Sequence, residues 1–268
     1  MAKTKLNILP VPTFAHLGVN YAERDVEALS KEEISVPDGT EQQIIHFISS
    51  DGETSVNVGK NSVLKLVRIF SGRHSRVSKL SAVLADNARL ELIQLCLGGD
   101  TVSEIGVELG GRAVFTADIG YDLGAGDKLD LNLTAVHYGR KSVSDITVGG
   151  VLRDDAQKIF KGTIDFKNGA SGAKGSEKEE VILMSGEVVN KTVPVILCSE
   201  EDVEGSHGAT IGRIDEQHIY YMRSRGIPEE MIYELITRSK LLRVIGRIGD
   251  EQAQKRVYSA LGWGDDIE

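Results

Sequence analysis

From about residue 36 to 212, apolar and polar positions alternate with a period of two. Leu129, Leu131 and Leu133 sit between Asp130, Asn132 and Thr134. The segments SVLKLVRIF, ARLELIQLCLGG, RAVFTADIG, DKLDLNLTAVHY, SDITVGGVL and FKGTIDF share the richness in Val, Ile, Leu and Thr, with Gly, Asp and Asn between them. Period two bounded by turn residues predicts strands. No helical pattern interrupts them, which argues against a fold built from βαβ units.

The turns recur. Small or polar residues precede a strand at Asn61-Ser62, Asn87-Ala88, Arg112-Ala113, Gly126-Asp127, Asp155-Ala156 and Gly169-Ala170. The second residues of these pairs are separated by 26, 25, 14, 29 and 14 positions. A solenoid with two long sides per coil predicts this: the long gap is a full coil and the short gap is one side. Such a β-helix stacks apolar ladders inside and leaves polar residues outside. The rival is a β-sandwich with irregular loops, which periodicity alone does not exclude.

The pattern changes at both ends. Residues 1–35 mix Pro10 and Pro12 with the polar run AERDVEALSKEEI, and read as an N-terminal arm or cap holding a short helix from about Ala22 to Leu29. Residues 213–268 turn helical. Asp215 is placed to cap a helix through Met222 that Gly226 ends, and Pro228 suits the first turn of the next. Met231, Ile232, Leu235 and Ile236 form an i, i+3, i+4 stripe resumed by Leu242 and Ile245. A last helix is expected from Asp250 to Leu261, followed by a frayed WGDDIE tail. Trp263 and the apolar stripe are candidates for a docking face.

Composition removes several function classes. Hydrophobic residues make up 41% and charged residues 26% of 268, so the chain is globular rather than disordered. No run approaches the roughly 18 apolar residues of a membrane helix. The net charge of −9 argues against nucleic acid as a partner. The N-terminus MAKTKLNILPVPTF lacks the features of a secretory signal, and Cys96 and Cys198 make no disulfide framework. A soluble protein of a reducing, cytoplasmic compartment is expected.

Motifs for chemistry are sparse. GETSVNVGK has six residues between its glycines where a phosphate-binding P-loop has four, so no nucleotide is expected to bind this chain. There is no G-x-S-x-G, C-x-x-C or H-E-x-x-H. Cys198, in the apolar run VPVILCSEE, reads first as a small buried hydrophobe, as does Cys96. Among the six histidines, His207 stands apart. It lies in EGSHGATIG, between small residues that let a backbone or metal approach. It also follows an acidic stretch, 177–204, that includes Glu177, Glu179, Glu180, Glu187 and Glu204. Imidazole with nearby carboxylates is a donor set for iron. The competing reading is a solvated acidic edge that discourages strand-to-strand aggregation.

Three longer segments carry a family resemblance. GSHGATIGRIDEQHIYYMRSRGIPEEMIYELI resembles the C-terminal signature of the SufB/SufD proteins of iron–sulfur cluster assembly. HYGRKSVSDITVGGVLRDDAQKIFKGTIDFKNGASG resembles their preceding coils, and LNILPVPTFAHLGVN their N-terminal opening. The resemblance implies a mainly β fold: a right-handed parallel β-helix followed by a small α-helical C-terminal domain. It implies a non-catalytic scaffold on which a transient Fe–S cluster, or iron, is held at a subunit interface. It also implies an ATPase partner, SufC of the ABC type, docked on the helical end at Met231, Ile232, Leu235 and Ile236, with a SufB-type paralogue or a second copy joined through the β-helix. His207 matches the SufD histidine at that interface, and Cys198 and Glu204 are secondary candidates. Val188 stands where SufB carries a cysteine, and Gly205 where SufD commonly does.

Three functions compete: a SufD-like subunit paired with a SufB-type chain, a minimal scaffold paired with itself, and, remotely, a β-helix enzyme acting on polysaccharide. The last would need clustered acids along one face. Asp118, Asp122 and Asp127 are the acids on offer, and they suit turn chemistry better.

Overall fold

The structure, a computed structural model, describes residues 3–26 and 28–264. Strands β1 (Thr4–Leu6) and β2 (Ala22–Arg24) pair antiparallel in an N-terminal arm. The coils follow: β3 (Ser30–Val36), β4 (Glu41–Ile48), β5 (Gly52–Val58), β6 (Val63–Ser71), β7 (Ser75–Leu84), β8 (Arg89–Leu97) and β9 (Asp100–Leu109). They continue as β10 (Val114–Leu123), β11 (Lys128–His137), β12 (Val143–Leu152), β13 (Gln157–Phe166), β14 (Ala173–Leu183), β15 (Val189–Cys198) and β16 (Val203–Arg213). Even-numbered strands from β4 to β16 stack into one sheet and odd-numbered strands from β3 to β15 into the other. Every pairing within these two sheets is parallel. This is a parallel β-solenoid of about 6 turns. The sandwich alternative falls, since sandwich sheets are antiparallel.

Coil length follows from the turns. Val63 pairs with Arg89, Arg89 with Val114 and Val114 with Val143, which reproduces the long spacing in the sequence. Asn61, Asn87 and Arg112 turn the corner with φ of 54°, 58° and 54°. Asparagine tolerates this region better than most residues. The Asn87 side chain donates to Asn61 Oδ1 (3.0 Å), and Arg112 Nε donates to Asn87 Oδ1 (2.7 Å), so successive corners are tied in register.

The interior is a set of columns, one residue per coil. Ile44, Leu66, Leu92, Ala117 and Ile146 lie directly above one another. Phe115, Ile119 and Leu131 are wholly buried in the same core. Arg76 is buried without a carboxylate partner among the described residues. It donates instead to Thr101 Oγ1 and to the carbonyls of Ile48, Ser71, Gly72 and Gly98, which closes a corner.

Two expectations for the arm do not hold. Ala22 begins a strand rather than a helix, because it packs with Leu6, Val77 and Val102. The solenoid also starts earlier than residue 36. In β3, Ile34 and Val36 are buried while Lys31, Glu33 and Ser35 are exposed, so the apparent polar run is a half-buried strand. The arm is anchored by Asn7, whose amide donates to Ser103 O (3.2 Å) and Asp130 O (2.8 Å), and whose backbone carbonyl accepts from Lys161 (2.9 Å).

Helices α1 (Glu216–Ser224), α2 (Glu229–Ile245) and α3 (Glu251–Ala260) complete the chain. Asp215 and Asp250 cap α1 and α3 through Gln217 N (2.9 Å) and Ala253 N (2.7 Å). Pro228 occupies the cap position of α2, one residue before the expected first turn. Helix α2 lies on the even sheet: Leu241, Val244 and Ile245 pack with Val67, Ile93 and Leu95. Trp263 joins this cluster at 6% exposure and stacks on Tyr258, so it is core and not a docking residue. The last residues of the expected frayed tail lie outside the described residues. Gly120 makes the helix contact possible. A methyl there would lie 2.9 Å from Leu95 Cδ2 and 3.3 Å from Val244 Cγ2. Gly120→Val should lower stability by about 1–3 kcal/mol through overpacking. A thermal melt matching the parent would disprove this role.

Candidate functional site

The last coil is open. Strands β15 and β16 end their sheets, so each is hydrogen-bonded along one edge only. His207 lies in the middle of β16, in a regular strand paired with β14, and not in a turn. Its orientation follows from its neighbours. A methyl on Gly205 would lie 3.1 Å from both Ile196 Cγ2 and Phe166 Cε2, so Gly205 faces the solenoid interior. By strand alternation His207 faces the same way. It is nevertheless exposed, because no further coil of the described residues covers it.

His207 pairs in register with Glu177 of β14, which continues the column of Ile146 and Ala117. That column is apolar for five coils and ionisable in its last two. In β14 the inward residues are Ala173, Gly175, Glu177, Glu179 and Val181. Glu177 is 3% exposed and Glu179 is 1% exposed, so two carboxylates sit inside the protein. Both belong to the acidic run whose competing reading is a solvated edge. That reading fails for them and holds for the exposed Glu204.

Glu179 is fully engaged. It forms an ion pair with the buried Lys158 Nζ and accepts from the Thr192 hydroxyl (2.6 Å). Burial lowers the Lys158 pKa, against the pull of Glu179. Glu177 is pushed up to about 7, first by burial and then by the neighbouring Glu179 charge. Gly162 of β13 leaves the space that the Glu177 carboxylate fills, since a methyl there would overlap it.

The other candidates do not join this group. Glu204 lies on the opposite face of β16 by alternation and accepts from Lys174 (2.8 Å). Cys198 ends β15 in the column of His137 and Phe166. It is exposed there, and not the buried hydrophobe expected from its apolar run, because the last coil leaves it uncovered. With Gly205 packed against Ile196, Cys198 stands four residues along the coil from His207, ~13 Å at the strand rise. Cys96 is wholly buried, and burial pushes its thiol up to about 11, as suits a packing residue. Among the described residues, no group of three or more His, Cys, Asp or Glu side chains converges on one point.

On the helical end, the four stripe residues divide. Met231 (49%) and Leu235 (46%) are exposed, Ile236 is half-buried, and Ile232 is buried outright. Ile232 is therefore not available for docking. Tyr220 (76%) and Tyr221 (56%) of α1 add exposed aromatic surface that the stripe pattern does not identify.

The acids offered for a polysaccharide site are all occupied. Asp118 pairs with Arg247, Asp122 accepts twice from Arg153 (2.8 Å each), and Asp127 accepts from Gly99 N and Gly124 N (2.8 Å each). Only Asp127 serves a turn; the other two lie on β10. No described helix is long and apolar enough to cross a membrane.

The family model described as "SUF system FeS cluster assembly, SufBD core domain" matches residues 26–240. The chain belongs to the SufBD family. Within the family it is SufD-like. It is 28% identical over 249 residues to the iron–sulfur cluster assembly protein SufD of Bacillus subtilis, covering 92% of this chain and 54% of that protein. It is 30% identical over 112 residues to SufD of Escherichia coli, covering 42% of this chain and 26% of that protein. A SufBD family iron–sulfur cluster assembly protein of Mycobacterium leprae is 26% identical over 190 residues, covering 67% and 48%. The chain thus spans about half or less of the length of these relatives. The SufBD match begins at residue 26 and ends within α2, so it takes in the solenoid and the first helices together.

Proposed function

We propose that this chain is a non-catalytic scaffold subunit in iron–sulfur cluster assembly. Its open last coil receives a second β-helix chain, and the nascent cluster or its iron is held at that junction as cargo. The observation that carries the reading is the inward-facing His207 on an edge strand with no further strand of the described residues stacked above it. Unpaired strand edges are templates for another chain. Imidazole beside thiolate is an established iron–sulfur donor set. With Gly205 and Val188 at the positions of family cysteines, the thiolate would come from a SufB-type partner. Tyr220, Tyr221, Met231 and Leu235 offer the helical end as the seat of a SufC-type ATPase. A cytoplasmic setting fits such a complex.

Co-expression of the full chain with the ATPase and a SufB-type partner, followed by native mass spectrometry and cluster reconstitution, tests this. The complex should form. Met231→Glu with Leu235→Glu should remove the ATPase from it. His207→Ala should leave the complex intact but reduce reconstituted cluster at least tenfold. A pair of these chains with the ATPase, without the SufB-type protein, would favour self-pairing. Absence of any complex would end the scaffold reading.

A further inference from the structure

Two inward positions of one column, Glu177 and His207, differ in kind from the five apolar residues that precede them. A break in an otherwise consistent pattern marks a place where stability is not the only demand. Inside the same coil, Glu179 has its lysine and its threonine hydroxyl. Glu177 has neither. It is 3% exposed, no described N–H or O–H donates to its carboxylate, and Gly162 opposite gives it room.

Glu177 and His207 are register partners on adjacent strands and share the inner face. Paired strands lie ~4.8 Å apart. Side chains that share one face of adjacent strands are neighbours at that spacing. Carboxylate with imidazole is a donor pair for ferrous iron. Among the described residues no third His, Cys, Asp or Glu joins them, which leaves the remaining positions to water or to a facing chain.

We propose that Glu177 is the carboxylate that joins His207 on a ferrous ion at the open end of the solenoid. The inference rests on the reading of His207 as an iron ligand and adds to it a buried residue from the preceding coil. It displaces Glu204, which lies on the outer face and is tied to Lys174. The ion is then held across two coils of one chain before a partner completes its coordination.

Anaerobic titration of the full chain with Co(II), read by its visible absorption and competed with Fe(II), tests the assignment. The parent should show one site, weakened at least tenfold in both Glu177→Gln and His207→Ala and unchanged in Glu204→Gln. Binding lost in His207→Ala but kept in Glu177→Gln would overturn the role of Glu177 and leave that of His207 standing. A parent that binds no Co(II), or variants that both bind like the parent, would overturn both. Gly162→Ala keeps both ligands while crowding the Glu177 carboxylate, and should weaken binding similarly. Unchanged affinity in that variant, with melting confirming a folded chain, would also count against the site.

Discussion

Lys158→Met should destabilise the chain by about 3–5 kcal/mol, the cost typical of breaking a buried ion pair by removing one partner. Lys158 is 0% exposed and its ammonium is held by Glu179, itself 1% exposed, and by Thr192 (3.3 Å). Removing the cation leaves Glu179 and Glu177 as two buried carboxyls with no positive charge between them. The loss should therefore be larger at pH 8 than at pH 5, where Glu177, its carboxyl pushed up to about 7, is protonated. The double change Lys158→Met with Glu179→Met removes both charges and should recover most of the stability, because apolar replacements of a buried pair are often neutral or better. Urea unfolding at the two pH values measures all of this. A single-variant loss below about 1 kcal/mol would mean that water reaches the pair and that the interior is wetter than its burial implies.

The architecture was legible because its corners are expensive. A corner residue must adopt positive φ, which few residues tolerate, so Asn61 and Asn87 recur at the coil length. The spacing of 14 between Ala113 and Asp127 is one side of a coil, from the start of β10 to the start of β11. The arm was less legible. Its strands are short, and β2 gains its burial from Val77 and Val102, far away in sequence. The helical end was legible in its elements and caps, but a helical stripe does not say which of its residues meets the solenoid. Ile232 is buried while Met231 and Leu235 remain exposed.

The site was half legible. His207 stands out for its small neighbours and for the family signature around it. Glu177 is one acid among several in a run, and nothing in the count of charges separates it from the rest. The signal was present in AKGSEKEEVIL, where Ala173, Gly175 and Val181 fix the inner face, and alternation then carries Glu177 and Glu179 inward with them. Net charge concealed this, since it does not distinguish the two faces of a strand. Glu204 illustrates the converse. It is close to His207 in sequence, but an odd separation along a strand puts it on the other face.

Glu177→Gln should make the protein more stable at pH 8 and change it little at pH 5. The sign follows from the Glu177 carboxyl being pushed from the usual 4.5 to about 7, chiefly by burial. Between those values the unfolded chain has lost this proton and the folded chain keeps it, so the stability of the parent falls as pH rises from 4.5 to about 7. Above that window the full cost remains. The gap between the two values corresponds to about 3 kcal/mol, an upper figure. The amide carries no charge at any of these values and so removes the dependence. Thermal or urea unfolding of parent and variant across pH 4.5 to 8 would show two curves that meet at the acid end and separate toward neutrality. Parallel curves would mean that Glu177 ionises freely and is not sealed inside the coil. If the curves separate, the parent holds a carboxyl at this position at a cost in stability, one that a ligand binding the ionised form would offset. Improved stability together with lost metal binding in the same variant would then be the expected trade at a binding site.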